Sequence, residues 1–295
     1  MTARSYLFVP GDSEKKMEKA GGCGADAIIL DLEDAVSPDR KAHARELVAT
    51  HLATMPHERR RYRMFVRINA LDSAEALKDL VAVVPGNPDG IVLPKVTGPS
   101  DVRQLSFYLD ALEAQSTLKS GTIAVLPVAT ETACATFALG DYATAGLSRL
   151  AAMTWGAEDL SAAIGASTNL DETGGWGFTY RLVRSNLLLA AHAATVPAIE
   201  TLYVDFRDEA GLRSSSRAAF REGFSGRIAI HPDQVAPINE SFSFTPEEVE
   251  LAERIVAAFE EKPGIGTIGI DGKMYDIPHL KQARFILSES GPKLI

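Results

Sequence analysis

The chain has little of several features that indicate a specialised class of protein. Its 2 cysteines, Cys23 and Cys134, lie far apart and form no Cys-x-x-Cys arrangement. Neither a disulfide framework nor a thiolate metal site is therefore indicated, and a reducing compartment fits this usage. No apolar segment of signal-peptide length begins the sequence, and the most apolar later run is broken by His192 and Pro197. We expect a cytoplasmic protein with no membrane role.

Long runs of one charge are also lacking. Lys plus Arg total 30 against 39 for Asp plus Glu, which gives a net charge of -9, and no long basic cluster interleaves with aromatics. The densest basic run, residues 57–63, is typical of a solvated loop. We predict no nucleic-acid partner. The 46% hydrophobic content is typical of a globular protein with a large core.

Two common catalytic fingerprints are missing from the places where they would act. The sequence contains no P-loop, and no glycine-rich phosphate cradle stands between a predicted strand and the helix after it. A nucleotide-binding enzyme of those types is therefore not indicated. The G-x-S-x-G elbow is absent too, which argues against a Ser-His-Asp hydrolase of that type.

What the sequence does contain is a repeated alternation of short apolar runs and amphipathic segments. The runs predict strands at residues 5–9, 27–32, 64–68, 90–96, 122–128, 150–155, 201–206 and 227–230. Helices are predicted at 13–21, 38–53, 73–83, 100–116, 131–139, 178–193, 208–221 and 246–261. Eight strand-helix units in about 260 residues predict an α/β fold, a (β/α)₈ TIM barrel. A doubly wound open sheet is the alternative.

The segment after the last predicted barrel helix is not needed to complete a barrel. An Asp271-Gly272 pair between two short extended runs predicts a hairpin, and a terminal helix is predicted from His279 onward. We therefore predict a barrel domain at residues 1–262 and a C-terminal extension, hairpin plus helix, at residues 263–295.

Polar residues follow most of the predicted strands, at the end where barrel enzymes carry their chemistry. They are Asp31, Glu33 and Asp34, then Arg67 and Asn69, Lys95, Glu131, Glu158 and Asp159, and His231. Carboxylates that converge with an Arg and a Lys indicate a divalent cation beside an anionic substrate. Mg²⁺ is favoured over zinc because the rim offers no His or Cys cluster. The acidic triplet is the first candidate for the metal site, since close carboxylates need a cation, a proton or solvent.

Several motifs occur in an order that is typical of one family. They are RSYLFVPGD, ADAIILDLEDAV, FVRIN, GIVLPK, ETA at 131–133, WGAEDL, AIHPDQV and DGKMYDIP. In this order they resemble the citrate lyase β-subunit-like branch of the HpcH/HpaI aldolase family, which includes malyl-CoA and citramalyl-CoA lyases. The resemblance covers nearly the whole chain and does not specify the substrate.

The resemblance implies a Mg²⁺-dependent lyase that cleaves or forms the carbon-carbon bond of a 3-hydroxyacyl thioester. The family's metal ligands match Glu131 and Asp159, and its substrate-facing arginine matches Arg67, which would stabilise the enolate oxygen. Glu131 would also contact the substrate. Glu33 and Asp34 would support catalysis by orienting water around the cation. Asp31 would stand behind them and hold Arg67 by a charge-assisted pair.

The resemblance also implies where the coenzyme and a second subunit contribute. Phe8 and Lys19 match residues along the coenzyme A site, while an arginine expected after the Pro-Gly turn is replaced by Ser13. The tail would form a lid on a neighbouring subunit and supply an acid-base residue, Asp276. The protein would then be a homo-oligomer, a trimer or a dimer of trimers.

Alternative functions and residue roles remain open at this point. Lys95 is expected to bind substrate or to act as a charge near the carboxylates, and a Schiff-base lysine is the rival mechanism. His231 is expected to be packed or hydrogen-bonded rather than catalytic. The function alternatives are a citrate lyase β-subunit acting on citryl-acyl carrier protein, a malyl-CoA thioesterase, and a non-catalytic keto-acid or CoA binding protein.

Overall fold

The computed structural model describes residues 3–290, and the chain divides between Phe242 and Ser243 into two compact units. The sequence-based boundary was placed after residue 262. By contacts, the helix at residues 246–260 groups with the C-terminal unit.

The N-terminal unit is built on eight parallel strands. They are β1 (Ser5–Pro10), β2 (Ala27–Asp31), β3 (Arg63–Arg67), β4 (Gly90–Leu93), β5 (Ala124–Pro127), β6 (Met153–Thr154), β7 (Ala198–Glu200) and β8 (Gly226–Ala229). Their order in the sheet is β5-β4-β3-β2-β1-β8-β7-β6. Parallel bridges from Val125 to Leu150 and from Val128 to Thr154 join the two edges. The sheet therefore closes into a barrel; the predicted TIM-barrel fold is confirmed, and the open-sheet alternative is wrong.

Helices follow the strands on the outside of this barrel. They are α1 (Glu14–Ala20), α2 (Lys41–Thr54), α3 (Ala76–Val83), α4 (Pro99–Gln115), α5 (Ala157–Ala163), α6 (Phe178–Ala193), α7 (Glu209–Glu222) and α8 (Val235–Ser241). One apolar cluster draws a residue from most strands, including Tyr6, Ile29, Phe65, Leu126 and Ile228. Alternate strand residues join a larger cluster with the helices. Two-residue alternation thus fills both the barrel interior and the layer around it.

The seventh strand lies earlier than predicted. Residues 201–206 are outside β7, and Val204 and Phe206 are exposed, although their side chains favour strands. The observed strand, Ala198–Glu200, begins after Pro197 and ends in a carboxylate. Both features make the strand difficult to recognise from the sequence. Glu200 is tolerated there because its oxygens accept hydrogen bonds from Trp155 Nε1 and Arg184 Nε, both at 2.6 Å. Tertiary partners therefore overrode local propensity.

The predicted helix at 131–139 is also wrong as an α-helix. Two short 3₁₀ helices, Ala135–Phe137 and Leu139–Ala143, occupy this region. The side chain of Thr132 contributes to this geometry by donating to the carbonyl of Val96 at 3.2 Å and accepting the N–H of Ala135 at 3.3 Å. Such side-chain bonds compete with the first α-helical turn. Glu131 therefore stands in a loop after β5.

The C-terminal unit contains α9 (Pro246–Glu260), an antiparallel hairpin of β9 (Thr267–Ile270) and β10 (Lys273–Asp276), and α10 (Ile277–Ser290). Asp271 and Gly272 both have positive φ, 49° and 76°, as a tight two-residue hairpin turn requires. The predicted hairpin and terminal helix are confirmed. Gly264, Gly266 and Gly269 have G-x-G-x-x-G spacing but lead into this hairpin, so they are not a dinucleotide fingerprint.

No helix within residues 3–290 has both the length and the apolar character needed to cross a membrane.

Candidate active site at the C-terminal ends of the strands

Asp31 and Arg67 stand side by side where β2 and β3 end. The parallel register of the two strands pairs these residues directly. Arg67 donates from Nε to Asp31 Oδ1 at 2.8 Å and from Nη2 to Oδ2 at 2.7 Å. The same carboxylate accepts the backbone N–H groups of Glu33 at 2.9 Å and Ala35 at 3.1 Å. Asp31 therefore fixes both the guanidinium and the start of the loop that carries Glu33 and Asp34.

The guanidinium of Arg67 has two further neighbours. Its Nη1 lies 2.9 Å from Glu33 Oε2, close enough for an ion pair, though this oxygen completes no hydrogen bond. Its Cζ lies 4.5 Å from the centre of the Phe8 ring. Burial alone would lower the pKa of Arg67, but the hydrogen bonds and charge of Asp31 and the charge of Glu33 hold that pKa above its ordinary value. Arg67 is thus a permanent cation held in one orientation.

The loop after β2 is also held by two residues that the sequence did not single out for this task. Lys41 Nζ donates to the carbonyls of Leu32 and Glu33 at 2.8 and 2.6 Å. Asn69 Nδ2, noted at the end of β3, donates to the same Leu32 carbonyl at 2.9 Å. A side chain that binds a backbone carbonyl leaves no sequence signal in its partner, so Lys41 could not be identified from a motif.

Lys95 lies among three carboxylates, two from the loop after β2 and one from the first turn of α5. Its ammonium contacts Glu33 Oε1, lies 3.0 Å from Asp34 Oδ2 and lies 3.6 Å from Asp159 Oδ1. Burial would lower the pKa of Lys95, but the hydrogen bond to Glu33 and the surrounding charges raise it above its usual range. A Schiff-base lysine must lose this proton to become a nucleophile, so the surroundings disfavour the rival aldolase mechanism.

Glu131 is a deeply buried carboxylate at the predicted metal site. Its side chain accepts the backbone N–H of Lys95 at Oε2, and the residue is 4% exposed. Gly156 makes this position possible, because a Cβ there would lie 2.8 Å from Glu131 Cγ. Burial raises the pKa of Glu131 to about 8, and the charges of Asp159 and Glu33 add to that rise. A buried carboxylate of this kind is stabilised by a cation.

Asp159 lies in the first turn of α5 and is partly exposed. Its neighbour Glu158 accepts a hydrogen bond from Asn169 Nδ2 at 2.8 Å. Among residues 3–290, no group of three or more His, Cys, Asp or Glu side chains is placed to hold a metal ion. Mg²⁺ commonly takes only one or two protein carboxylates and keeps several waters. The hard oxygen donors of Glu131 and Asp159 fit such an ion.

The remaining predicted site residues have different surroundings. Phe8 packs on Arg67, Lys19 is exposed on α1, and Ser13 precedes α1 without a side-chain capping bond. His231 stacks on Phe206 with ring centres 4.8 Å apart, and its Nδ1 accepts the N–H of Asp233 at 3.2 Å. This packed, hydrogen-bonded state is the one expected from the sequence.

Asp276 belongs to the C-terminal unit, at the end of β10. Its Oδ1 lies 2.5 Å from His279 Nδ1, and this hydrogen bond lowers the pKa of Asp276 below its ordinary value. The side chain is 39% exposed to solvent.

The fold and the site together define a class of proteins: (β/α)₈ barrels whose strand ends combine oxygen ligands for a divalent cation with a fixed guanidinium. Residues 4–232 match the family described as HpcH/HpaI aldolase/citrate lyase. The chain belongs to this family. The family predicted from the ordered motifs is thereby confirmed, as is the expectation of an enzyme of the lyase type.

Comparisons with individual proteins agree with this membership. A (3S)-malyl-CoA thioesterase of Cereibacter sphaeroides is 37% identical over 97% of this chain and 94% of its own length. The mitochondrial citramalyl-CoA lyase of Mus musculus is 35% identical over 97% and 85%. A crystal structure of CitE from Mycobacterium tuberculosis, in complex with magnesium, acetoacetate and coenzyme A, has a TM-score of 0.80 and 30% identity, and 98% of each chain is covered.

Proposed function

We propose that the protein is a Mg²⁺-dependent carbon-carbon lyase. It cleaves or forms a 3-hydroxyacyl thioester such as malyl-CoA or citramalyl-CoA, with an acyl-CoA and a 2-oxo acid as the other side of the reaction. The observation that carries this proposal is the guanidinium of Arg67, which Asp31 and Glu33 hold near the carboxylate of Glu131, while the charge of Asp159 also acts on Glu131. The CitE structure crystallised with magnesium and coenzyme A supports the choice of both cofactor and substrate class.

The chemistry divides between the two halves of the substrate. Glu131 and Asp159 would hold Mg²⁺, which would supply Lewis acidity toward the 2-oxo acid half of the substrate. In the cleavage direction the carbon-carbon bond breaks and its electron pair passes into the thioester as an enolate. Arg67 stabilises the negative oxygen of that enolate, because its charge is already oriented and needs little reorganisation. The substrate hydroxyl loses its proton to solvent as the new carbonyl forms, and the enolate carbon gains a proton, so cleavage releases no net proton.

Proton transfer at the enolate carbon is assigned to Asp276. The carbon must gain a proton in cleavage and lose one in condensation, so it needs an acid-base group nearby. We place Asp276 in this role across a subunit boundary, with residues 263–295 acting as a lid on a neighbouring copy. The assembly is then a homo-oligomer, a trimer or a dimer of trimers. Glu33 and Asp34 orient the polar groups around the site, and Lys95 provides positive charge.

Coenzyme A is proposed to lie along the part of the barrel formed by β1 and α1, which carry Phe8 and Lys19. The exposed ammonium of Lys19 suits a phosphate of the coenzyme, and Phe8 borders Arg67, where the thioester would be. We expect the enzyme to work in the cytoplasm on these small molecules.

The experiment that tests the function is incubation with Mg²⁺ and a panel of 3-hydroxyacyl-CoA thioesters, with mass detection of the products. We expect an acyl-CoA and a 2-oxo acid, lost after chelation and restored by added Mg²⁺. The matched control is Glu131→Gln, which keeps the shape of the side chain without its charge. Full activity in chelated protein would contradict the mechanism.

A second candidate function is thioester hydrolysis. The resemblance to a (3S)-malyl-CoA thioesterase over nearly the whole chain favours it. The same assay separates the two, because hydrolysis releases free coenzyme A and the intact hydroxy acid. Activity on citryl-acyl carrier protein but on no CoA thioester would instead favour a citrate lyase β-subunit. Mg²⁺ binding without any turnover would favour a binding protein.

A further inference from the structure

The ammonium of Lys95 lies among the carboxylates at the C-terminal ends of the strands. It contacts Glu33 Oε1 and lies 3.0 Å from Asp34 Oδ2, so both of these acids already have a positive partner. Asp159 Oδ1 is more distant, at 3.6 Å. The ammonium therefore pairs with the acids of the β2 loop and engages the predicted metal ligand Asp159 less closely.

The backbone N–H of Lys95 also donates a hydrogen bond in this site. Its φ is 52°, a left-handed conformation that is uncommon for a residue other than glycine. In this conformation its N–H reaches Glu131 while its side chain reaches Glu33. One residue thus touches the carboxylates of Glu33, Asp34, Glu131 and Asp159. A strained backbone that brings two groups to one place is typical of a functional site.

Charge balance shows why this arrangement matters. Four carboxylates, Glu33, Asp34, Glu131 and Asp159, lie around Lys95, and the other nearby cation, Arg67, is already bound by Asp31 and Glu33. Without the ammonium, Glu33 and Asp34 would present adjacent oxygen ligands to any divalent cation. The ammonium satisfies these oxygens with a single charge and repels a second divalent ion close by.

We propose that the ammonium of Lys95 pairs with the carboxylates of Glu33 and Asp34 and so prevents a divalent ion from binding to them. Mg²⁺ then binds only at Glu131 and Asp159. This inference rests on the proposed function for the identity of the metal ligands. It gives Lys95 a role in deciding how many divalent ions the rim holds and where they bind. Lys95 is therefore a positioning residue that sets the number of bound divalent ions, and it forms no covalent bond with the substrate.

The test is a titration with Mn²⁺, a spectroscopic substitute for Mg²⁺ that also prefers oxygen ligands, in which electron paramagnetic resonance counts the bound ions. We expect one ion per chain in the wild type and two in Lys95→Met. Lys95→Arg, which keeps the charge, is expected to bind one. Neutralising Glu33 and Asp34 in the Lys95→Met background, as Gln and Asn, should return the count to one.

One bound ion in Lys95→Met would overturn the proposal. Two ions in both Lys95→Met and Lys95→Arg would also overturn it, since packing rather than charge would then be responsible. Lys95→Gln, which is polar and uncharged, repeats the measurement if the Met variant does not fold by circular dichroism. A wild-type protein that binds no Mn²⁺ would contradict the metal site of the proposed function. The role of Lys95 is tested separately, by whether its substitution adds one bound ion.

Discussion

Arg67 shows at the scale of one residue how neighbours hold a charged side chain in place. Asp31 binds two of its nitrogens, and Phe8 packs against its plane, so the side chain has one orientation. We expect Arg67→Lys to lower kcat by roughly 10²-fold to 10³-fold, because an ammonium cannot make the paired bonds that aim the charge. Steady-state kinetics would measure this. Arg207→Lys, an exposed rim arginine, is the control and should retain activity.

The proposed metal ligands can be tested by the order in which substitutions weaken metal binding. We expect Glu131→Gln and Asp159→Asn to reduce Mn²⁺ affinity by about 100-fold or more. Glu33→Gln and Asp34→Asn should reduce it by about tenfold or less, since they act on the ligands through neighbours. The reverse order in a direct titration would reassign the cation to the acidic loop after β2.

At the scale of elements, β7 depends on one buried carboxylate. Glu200 is 1% exposed and accepts hydrogen bonds from Trp155 and Arg184, which links β7 to the segment after β6 and to α6. We expect Glu200→Ala to lower the free energy of unfolding by about 3 to 5 kcal/mol, because it leaves these donors without their buried partner. Tryptophan fluorescence in urea would report the change.

The matched control for this prediction is Glu222→Ala. Glu222 pairs with the same Arg184, but its side chain is 51% exposed. Its loss should cost less than about 1 kcal/mol, since solvent screens an exposed pair. Equal effects of the two substitutions would show that burial does not decide the strength of this network.

At the scale of the whole molecule, the proposed action of Asp276 on a neighbouring subunit predicts complementation. Arg67→Lys and Asp276→Asn chains are each expected to have little activity. When the two are mixed and reassembled, about one quarter of the sites of a head-to-tail ring should combine an intact barrel with an intact lid from its neighbour. Recovery of that fraction of activity would support catalysis across subunits. Continued inactivity would place both residues of each site on the same chain.

The family was readable from the sequence, and candidate site residues could be named, because the signals for both are local. FVRIN, WGAEDL and the Asp271-Gly272 turn are contiguous, and a contiguous motif is visible without knowledge of the fold. The same holds for α6, predicted at 178–193 and found at Phe178–Ala193. By contrast, β7 and the 3₁₀ helices after Glu131 depended on partners distant in sequence, and local propensity predicted them wrongly.

The sequence by itself determined the repeating strand-helix pattern and the types of residue at the strand ends, because both follow from periodicity and short motifs. The tertiary structure decided how those residues meet. Barrel closure and the register of β2 and β3 set Asp31 against Arg67, and the left-handed backbone of Lys95 brings its ammonium to Glu33 and Asp34. The acidic triplet is therefore divided between two cations of the chain itself, an outcome fixed by distances between strands that no linear pattern encodes.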